Sequence, residues 1–191
     1  RRDQVILTTK ISPPLTRDRI RTAAEASLTR LRTDRIDLYL LHAWDSAVPL
    51  DESLKALDAL VRAGKVRFVG VSNVAAWQLR EGLGRQEALG TARFECLQPI
   101  YNLVHREIES ELLPLCGDQQ VGVVTYSPLG AGFLTGKYRP DGPVPVGTRF
   151  DIKPGHRNHY FTAHGFRVLN ALGDLAAATG LSPIRLALGW V

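Results

Sequence analysis

Strand-like and helix-like segments alternate along the 191-residue chain, and this alternation limits its fold more than any other feature. Short apolar runs at residues 5–9, 36–41, 66–71, 96–100 and 121–126 read as strands. Between them, apolar residues recur at helical spacing. Ile20, Ala23, Ala24, Ser27, Leu28 and Leu31 follow an N-cap at Thr16, and Leu54, Leu57, Leu60 and Val61 precede a stop at Gly64. Trp77, Leu79 and Leu83 mark the third helix, and Ile108, Leu112, Leu113 and Leu115 the fourth. Strands separated by helices imply a parallel sheet with right-handed crossovers. An open doubly wound sheet and a closed barrel both satisfy that pattern. No Gly-x-Gly-x-x-Gly follows any of the strands, which weighs against a Rossmann arrangement.

Each strand also runs into a residue with usable chemistry. Lys10 follows the first, His42 the second and Ser72-Asn73 the third, while Gln98 and Tyr126 stand near the ends of the fourth and fifth. In a parallel α/β barrel the carboxyl ends of all strands open onto one face, where ligands bind, so residues distant in sequence can share one site. This recurrence favours a (β/α)8 TIM barrel. A complete barrel takes about 250 residues, so its first strands and last strand are expected to lie outside this chain. The absence of methionine points the same way, as do a start at Arg1-Arg2-Asp3 and a stop at Gly189-Trp190-Val191 inside an apolar helical pattern. Residues 1–191 are expected to form one partial barrel domain. Its stretch 127–164, rich in glycine and proline and without clear period, is the kind of long connection that serves as a lid or ligand loop. Helical pattern resumes at 166–179 and, after the Ser182-Pro183 start signal, continues to the end.

The formal charge of +5 is spread over helix faces without an aromatic-studded basic stripe. That argues against nucleic acid and leaves room for a small phosphate-bearing ligand. No apolar run approaches the roughly 18 residues of a membrane span, and no signal peptide is visible. Cys96 and Cys116 have neither metal-ligand nor disulfide-framework spacing, so a reducing cytoplasm is the simplest setting, and Cys96, in an apolar strand, reads as core. His156-x-x-His159 with His164 comes nearest to a metal pattern, but it has no cysteines or helix to fix it, and no metal is expected. Oligomeric state is not legible.

Several stretches together resemble the aldo-keto reductase family over essentially the whole chain. They are Ile6-Leu7-Thr8-Thr9-Lys10, Asp34-Arg35-Ile36-Asp37-Leu38-Tyr39-Leu40-Leu41-His42, Gly64-Lys65-Val66-Arg67-Phe68-Val69-Gly70-Val71-Ser72-Asn73, Leu97-Gln98-Pro99-Ile100-Tyr101-Asn102 and Tyr126-Ser127-Pro128-Leu129-Gly130. Gly132-Phe133-Leu134-Thr135-Gly136-Lys137-Tyr138 is similar to the bacterial and potassium-channel β-subunit-like branch. Each is weak alone, and their order makes them specific. The resemblance implies a (β/α)8 barrel that reduces an aldehyde or ketone with NADPH and without a metal. Lys10 and His42 match two members of the family's catalytic tetrad. The other two, an aspartate and a proton-donating tyrosine, precede the lysine in the family, and neither Tyr39 nor Tyr101 matches that tyrosine's motif.

On this reading the Lys10 ammonium lowers the pKa of the tyrosine, ordinarily about 10, so that it can donate a proton at neutral pH. His42 points a ring nitrogen at the carbonyl oxygen. Ser72, Asn73 and Gln98 offer the donors and acceptors that a nicotinamide carboxamide needs; Ser72 and Asn73 could equally cap the next helix. Tyr126 would stack on the nicotinamide, or be plain core. Ser127, Pro128, Leu129 and Gly130 begin a loop whose amides, with Lys137 and Arg149, suit a pyrophosphate, although both cations also fit a solvated surface. Trp44 either walls the substrate pocket or packs at its rim. The rival expectation is a nucleotide-binding scaffold or redox-sensing subunit with little chemistry of its own.

Overall fold

The computed structural model describes residues 2–191. Five strands, β1 (Thr8–Ile11), β2 (Ile36–Leu41), β3 (Val66–Ser72), β4 (Phe94–Gln98) and β5 (Gly122–Val123), form one parallel sheet in the order β1-β2-β3-β4-β5. The crossovers contain α1 (Arg17–Leu31), α2 (Leu50–Arg62), α3 (Ala76–Leu89) and α4 (Leu112–Asp118). A doubly wound sheet reverses its strand order at a switch point, whereas a barrel adds each strand beside the one before it. The sequential order here is that of a barrel. The sheet does not close, and β1 and β5 are its edges.

The chain divides into two compact units: the first runs through Pro99 and includes Glu109–Val124, and the second is Ile100–Ile108 with Thr125–Val191. In the first, strand alternation sends Tyr39, Leu41, Val69, Val71 and Leu97 to one face. There they share a core with Ile20 and Ala24 of α1, Leu54, Leu57 and Leu60 of α2, Leu79 and Leu83 of α3, and Cys116 of α4. The apolar spacing read from the sequence is therefore the spacing that meets the sheet. At the end of α2, Gly64 takes φ +69° and its amide bonds Val61 O at 2.9 Å, a turn that glycine enters without steric cost.

The first strand starts three residues later than its apolar run suggests. The amide of Leu7 donates to Asp37 Oδ2 at 2.9 Å instead of to a neighbouring strand, so the ladder opens only at Thr8 and leaves Val5 and Ile6 exposed. Asp37 is also gripped by Arg2 at 2.8 Å and Arg67 at 3.3 Å. The Leu7 N–H, and after it the two guanidiniums, hold this buried carboxyl below the ordinary carboxylate range, against the opposing effect of burial. A carboxyl whose folded pKa is depressed contributes stability that is present above its unfolded pKa of about 3.9 and is lost as pH falls through the lower folded value. Asp37→Asn is therefore expected to lower the urea midpoint at neutral pH and to flatten its fall below about pH 4, where the unfolded carboxyl takes up its proton. Urea titrations of both forms across that window check this.

The fifth strand is shorter than expected, with Tyr126 joined to Ile100 only by an isolated bridge. The second unit holds α5 (Arg149–Ile152), α6 (Ala163–Thr179) and α7 (Pro183–Trp190). The aperiodic stretch before α6 has structure of its own: 3-10 turns at Gly130–Thr135 and Pro154–His159, with α5 between them. Phe133, Tyr138, Phe150, Tyr160, Phe161 and Phe166 pack ring against ring, with centroids 5.2 Å apart for Phe133–Phe166 and 5.0 Å for Tyr138–Phe150. Aromatic rings hold this segment without any helical or strand period, which is why periodicity misses it. The Ser182-Pro183 signal does start α7, the Ser182 hydroxyl accepting from Arg185 N at 3.3 Å. Thr16 has extended backbone at the α1 N-cap, but its side chain makes no cap bond. Among the described residues, no helix is long and apolar enough to cross a membrane.

Candidate active site

In the first unit the strand register sorts the polar residues by face. Lys10 pairs with Leu40, Leu40 with Gly70, Gly70 with Cys96, and Cys96 with Gly122, so this row points away from the helices. Two residues further along, alternation brings His42, Ser72 and Gln98 to the same face; Ser72 and Gln98 are register partners, and His42 N extends the ladder to Ile11 O at 2.9 Å. Lys10 and His42 are both exposed. One strand spacing and two residue rises separate their Cα atoms, about 8 Å. That is a span one small carbonyl compound and its proton donor can fill.

Local contacts fix each group. His42 Nδ1 lies 3.0 Å from Ser12 Oγ, which leaves Nε2 for another partner. Ser72 is fully buried and its Oγ donates to Gln98 O at 2.7 Å. Asn73 takes the left-handed φ of +55°, which asparagine tolerates, and its Nδ2 donates to His42 O at 2.9 Å. Neither residue caps the following helix: the α3 N-cap is Ala75, whose amide donates to Gln78 Oε1 at 2.8 Å. Gln98 Oε1 is buried and, among the described residues, without a hydrogen-bond partner. A buried acceptor in that condition is costly unless a ligand or water donates to it. The amide N–H of a nicotinamide carboxamide is a donor of the right kind. Trp44 is half-buried and packs against the core.

The second unit brings Tyr126 and the residues after it together. Tyr126 is half-buried, and burial raises its phenol pKa. Ser127 takes φ +57°, and its carbonyl accepts from Gly130 N at 2.9 Å and from Asn102 Nδ2 at 3.0 Å. Asn102 is wholly buried, and its Oδ1 accepts from Val104 N at 2.9 Å and His105 N at 3.0 Å. It therefore positions the Ser127 loop. Its one signal in the sequence is its place at the end of the Leu97–Asn102 stretch, two residues past the apolar strand run, which by itself assigns it no role. After half-buried Pro128 and Leu129, the chain runs left-handed through Gly130 (φ +58°), Ala131 (+55°) and Gly132 (+91°). A Cβ on Gly130 would lie 2.8 Å from the Tyr160 ring, and one on Gly132 would lie 3.5 Å from Lys137 Nζ. The second distance is ordinary contact, so it is the φ of +91° rather than space that favours glycine at 132. The Gly130 and Gly132 amides close the loop onto Ser127 O and Leu129 O. Lys137 and Arg149 are both exposed, and of the two Lys137 lies beside Gly132 of this loop.

Two other features lie elsewhere. A cleft of about 650 Å³ lined by Arg80, Thr91, Arg93 and Gln119 sits at the C-terminal end of α3, on the side where β4 begins and away from the strand ends carrying Lys10 and His42. The His156 and His159 rings are 6.5 Å apart, and among the described residues no group of three or more His, Cys, Asp or Glu side chains could hold a metal ion.

A parallel β/α sheet built strand beside strand, with polar residues ranked at its carboxyl ends, is the framework of a β/α barrel whose ligand face lies at those ends. Residues 1–191 match the Aldo/keto reductase family profile, and the chain belongs to that family. It is 34% identical over 201 residues to human aflatoxin B1 aldehyde reductase member 4, covering 98% of this chain and 61% of that protein. It is 33% identical over 205 residues to the Bacillus subtilis oxidoreductase YrpG, covering all of this chain and 60% of the relative. A probable voltage-gated potassium channel subunit beta of Arabidopsis thaliana is 30% identical over 201 residues, with coverage of 100% and 61%. The chain thus spans about three-fifths of the length of these curated relatives.

Proposed function

We propose that the protein is an NADPH-dependent reductase that converts an aldehyde or ketone to an alcohol. One observation carries this reading: Lys10, His42, Ser72 and Gln98 stand on one face at the carboxyl ends of adjacent strands. When bound, NADPH supplies the hydride that reaches the carbonyl carbon. The chain's own residues handle the rest. His42 directs Nε2 at the carbonyl oxygen and orients it. Lys10 stabilises the phenolate of the family's tyrosine, which precedes the lysine in family order, so that the proton can pass to the oxygen. Gln98 Oε1 accepts from the carboxamide, and Asn73 stiffens the support of His42 through its bond to His42 O. In the second unit by itself, Tyr126 offers a ring face for stacking, and the loop Ser127–Gly130 with Lys137 and Arg149 offers cations and backbone dipoles to phosphate. The names of the human and mouse relatives, aflatoxin B1 aldehyde reductases, support an aldehyde as substrate. The buried free thiols Cys96 and Cys116 suit a reducing, cytoplasmic setting.

A panel of aldehydes and ketones followed by NADPH absorbance, with the intact protein, tests the reading. Turnover of at least one class is expected. NADPH binding without turnover of any would favour the scaffold alternative. Tyr126→Ala is expected to weaken NADPH binding about fivefold, the loss of one stacking contact worth about 1 kcal/mol. An unchanged dissociation constant in a fluorescence titration would leave Tyr126 as packing alone.

A further inference from the structure

Ser12 stands one position beyond β1 and directly before Pro13, which disfavours helical backbone at Ser12 and keeps the strand direction. The last register pair of β1 and β2 is Ile11 with Leu41, and both side chains enter the helix-side core. One step further the ladder brings Ser12 opposite His42, and alternation turns both side chains to the other face, the one that carries Lys10. There Ser12 Oγ and His42 Nδ1 are 3.0 Å apart. The two backbones are tied without this contact. His42 N donates to Ile11 O at 2.9 Å, Asn73 Nδ2 to His42 O at 2.9 Å, and Leu15 N to Asp45 Oδ2 at 2.7 Å. Ser53 Oγ adds a bond to Leu15 O at 2.8 Å. What the Ser12 hydroxyl settles is therefore the state of the ring. A hydroxyl either gives or takes the proton of a hydrogen bond, so the contact fits both neutral tautomers of the imidazole. If Nδ1–H donates to Oγ, Nε2 is a lone pair, which repels a carbonyl oxygen. If Oγ–H donates to Nδ1, Nε2 carries the proton and can donate to that oxygen.

We infer that Ser12 is a positioning residue for carbonyl reduction: its hydroxyl donates to His42 Nδ1 and so holds the ring with Nε2 protonated and directed at the substrate oxygen. This inference rests on the carbonyl-reductase reading and adds the group that sets its histidine. The bond also fixes the ring's rotation, because an imidazole turned over would carry Nδ1 away from Oγ. Ser12 itself touches neither the substrate nor the transferred proton; it acts through His42.

Nitrogen-15 spectra of the intact protein with labelled histidine report the tautomer directly, the His42 signals being those lost in His42→Asn. At about pH 9, above the ordinary imidazole range, Nε2–H is expected to be the main form in wild-type protein. Ser12→Ala should give a more even mixture, and Ser12→Thr should return the wild-type ratio. For the aldehyde or ketone that wild-type protein reduces fastest, Ser12→Ala is expected to lower kcat about fivefold, the scale of one neutral hydrogen bond. The KM for NADPH should not change, and Ser12→Thr should recover most of the kcat. Nδ1–H as the main form, an unchanged tautomer ratio in Ser12→Ala or an unchanged kcat would overturn the inference. If wild-type protein reduces no carbonyl compound, the reductase reading falls and the spectra decide alone. A shifted ratio in Ser12→Ala would then still support Ser12 as the residue that sets the ring, and an equal ratio would end it.

Discussion

Lys10→Met in the intact protein should lower kcat for carbonyl reduction by about a hundredfold or more, the usual scale for losing a group that tunes proton transfer. Its effect on NADPH affinity should be small. Methionine keeps the length and apolar stem of lysine and removes only the ammonium. Lys10 is exposed on the face away from the core, so the substitution creates no cavity and leaves the helix side of the sheet untouched. Steady-state kinetics combined with a cofactor titration distinguish the outcomes. A fall in kcat at constant dissociation constant assigns the ammonium to the chemical step, and near-normal turnover would remove Lys10 from it. A loss of cofactor binding instead would place the lysine in nucleotide recognition.

Gly70→Ala should destabilise the first unit by about 3 kcal/mol, at the upper end of what overpacking costs. A Cβ there would lie 2.3 Å from Cys96 O and 2.7 Å from Leu40 Cδ2. The first of these atoms is backbone of the adjacent strand, beside a register irregularity at Val69/Gly70, and it cannot retreat without loosening the β3–β4 ladder. Gly84→Ala makes the contrast. It lies inside α3 with no atom within 4 Å of its would-be Cβ, and should stabilise by up to about 1 kcal/mol through helix propensity. Urea unfolding of both variants checks the pair, a shifted midpoint at constant slope being the signature of a stability change. Because Gly70 precedes Ser72 by two residues in the same strand, its replacement should also disturb the Ser72–Gln98 bond and raise the KM for NADPH.

Much of this architecture was legible along the chain because it is local. The strands β1–β5 and helices α1–α4 each overlap an apolar pattern, although β1 and β5 take up only part of theirs, and the residues at the strand ends could be named before any pairing was known. The discrepancies have physical causes. The Asp37 carboxylate intercepts the Leu7 amide and delays β1. The segment before α6 is held by ring contacts that carry no period. Ser72 and Asn73 look like helix caps in sequence, but their side chains reach across to neighbouring strands, to Gln98 O and His42 O. Asn102 gave little local warning, since what it does depends on a partner remote in the chain, Ser127.

Sequence alone determined the alternation of strand and helix and the identity of the residues that end each strand, because hydrophobic period and terminal chemistry belong to short stretches of chain. Tertiary structure decided which strands are neighbours and in what register. That choice separates a barrel's sequential order from a doubly wound sheet, and it ranks Lys10 with Leu40 and Gly70 on the face opposite the helices. The reason is the two-residue repeat of a strand: a slip of one position would turn every side chain of β1 over and carry Lys10 from the open face into the helix-packed core.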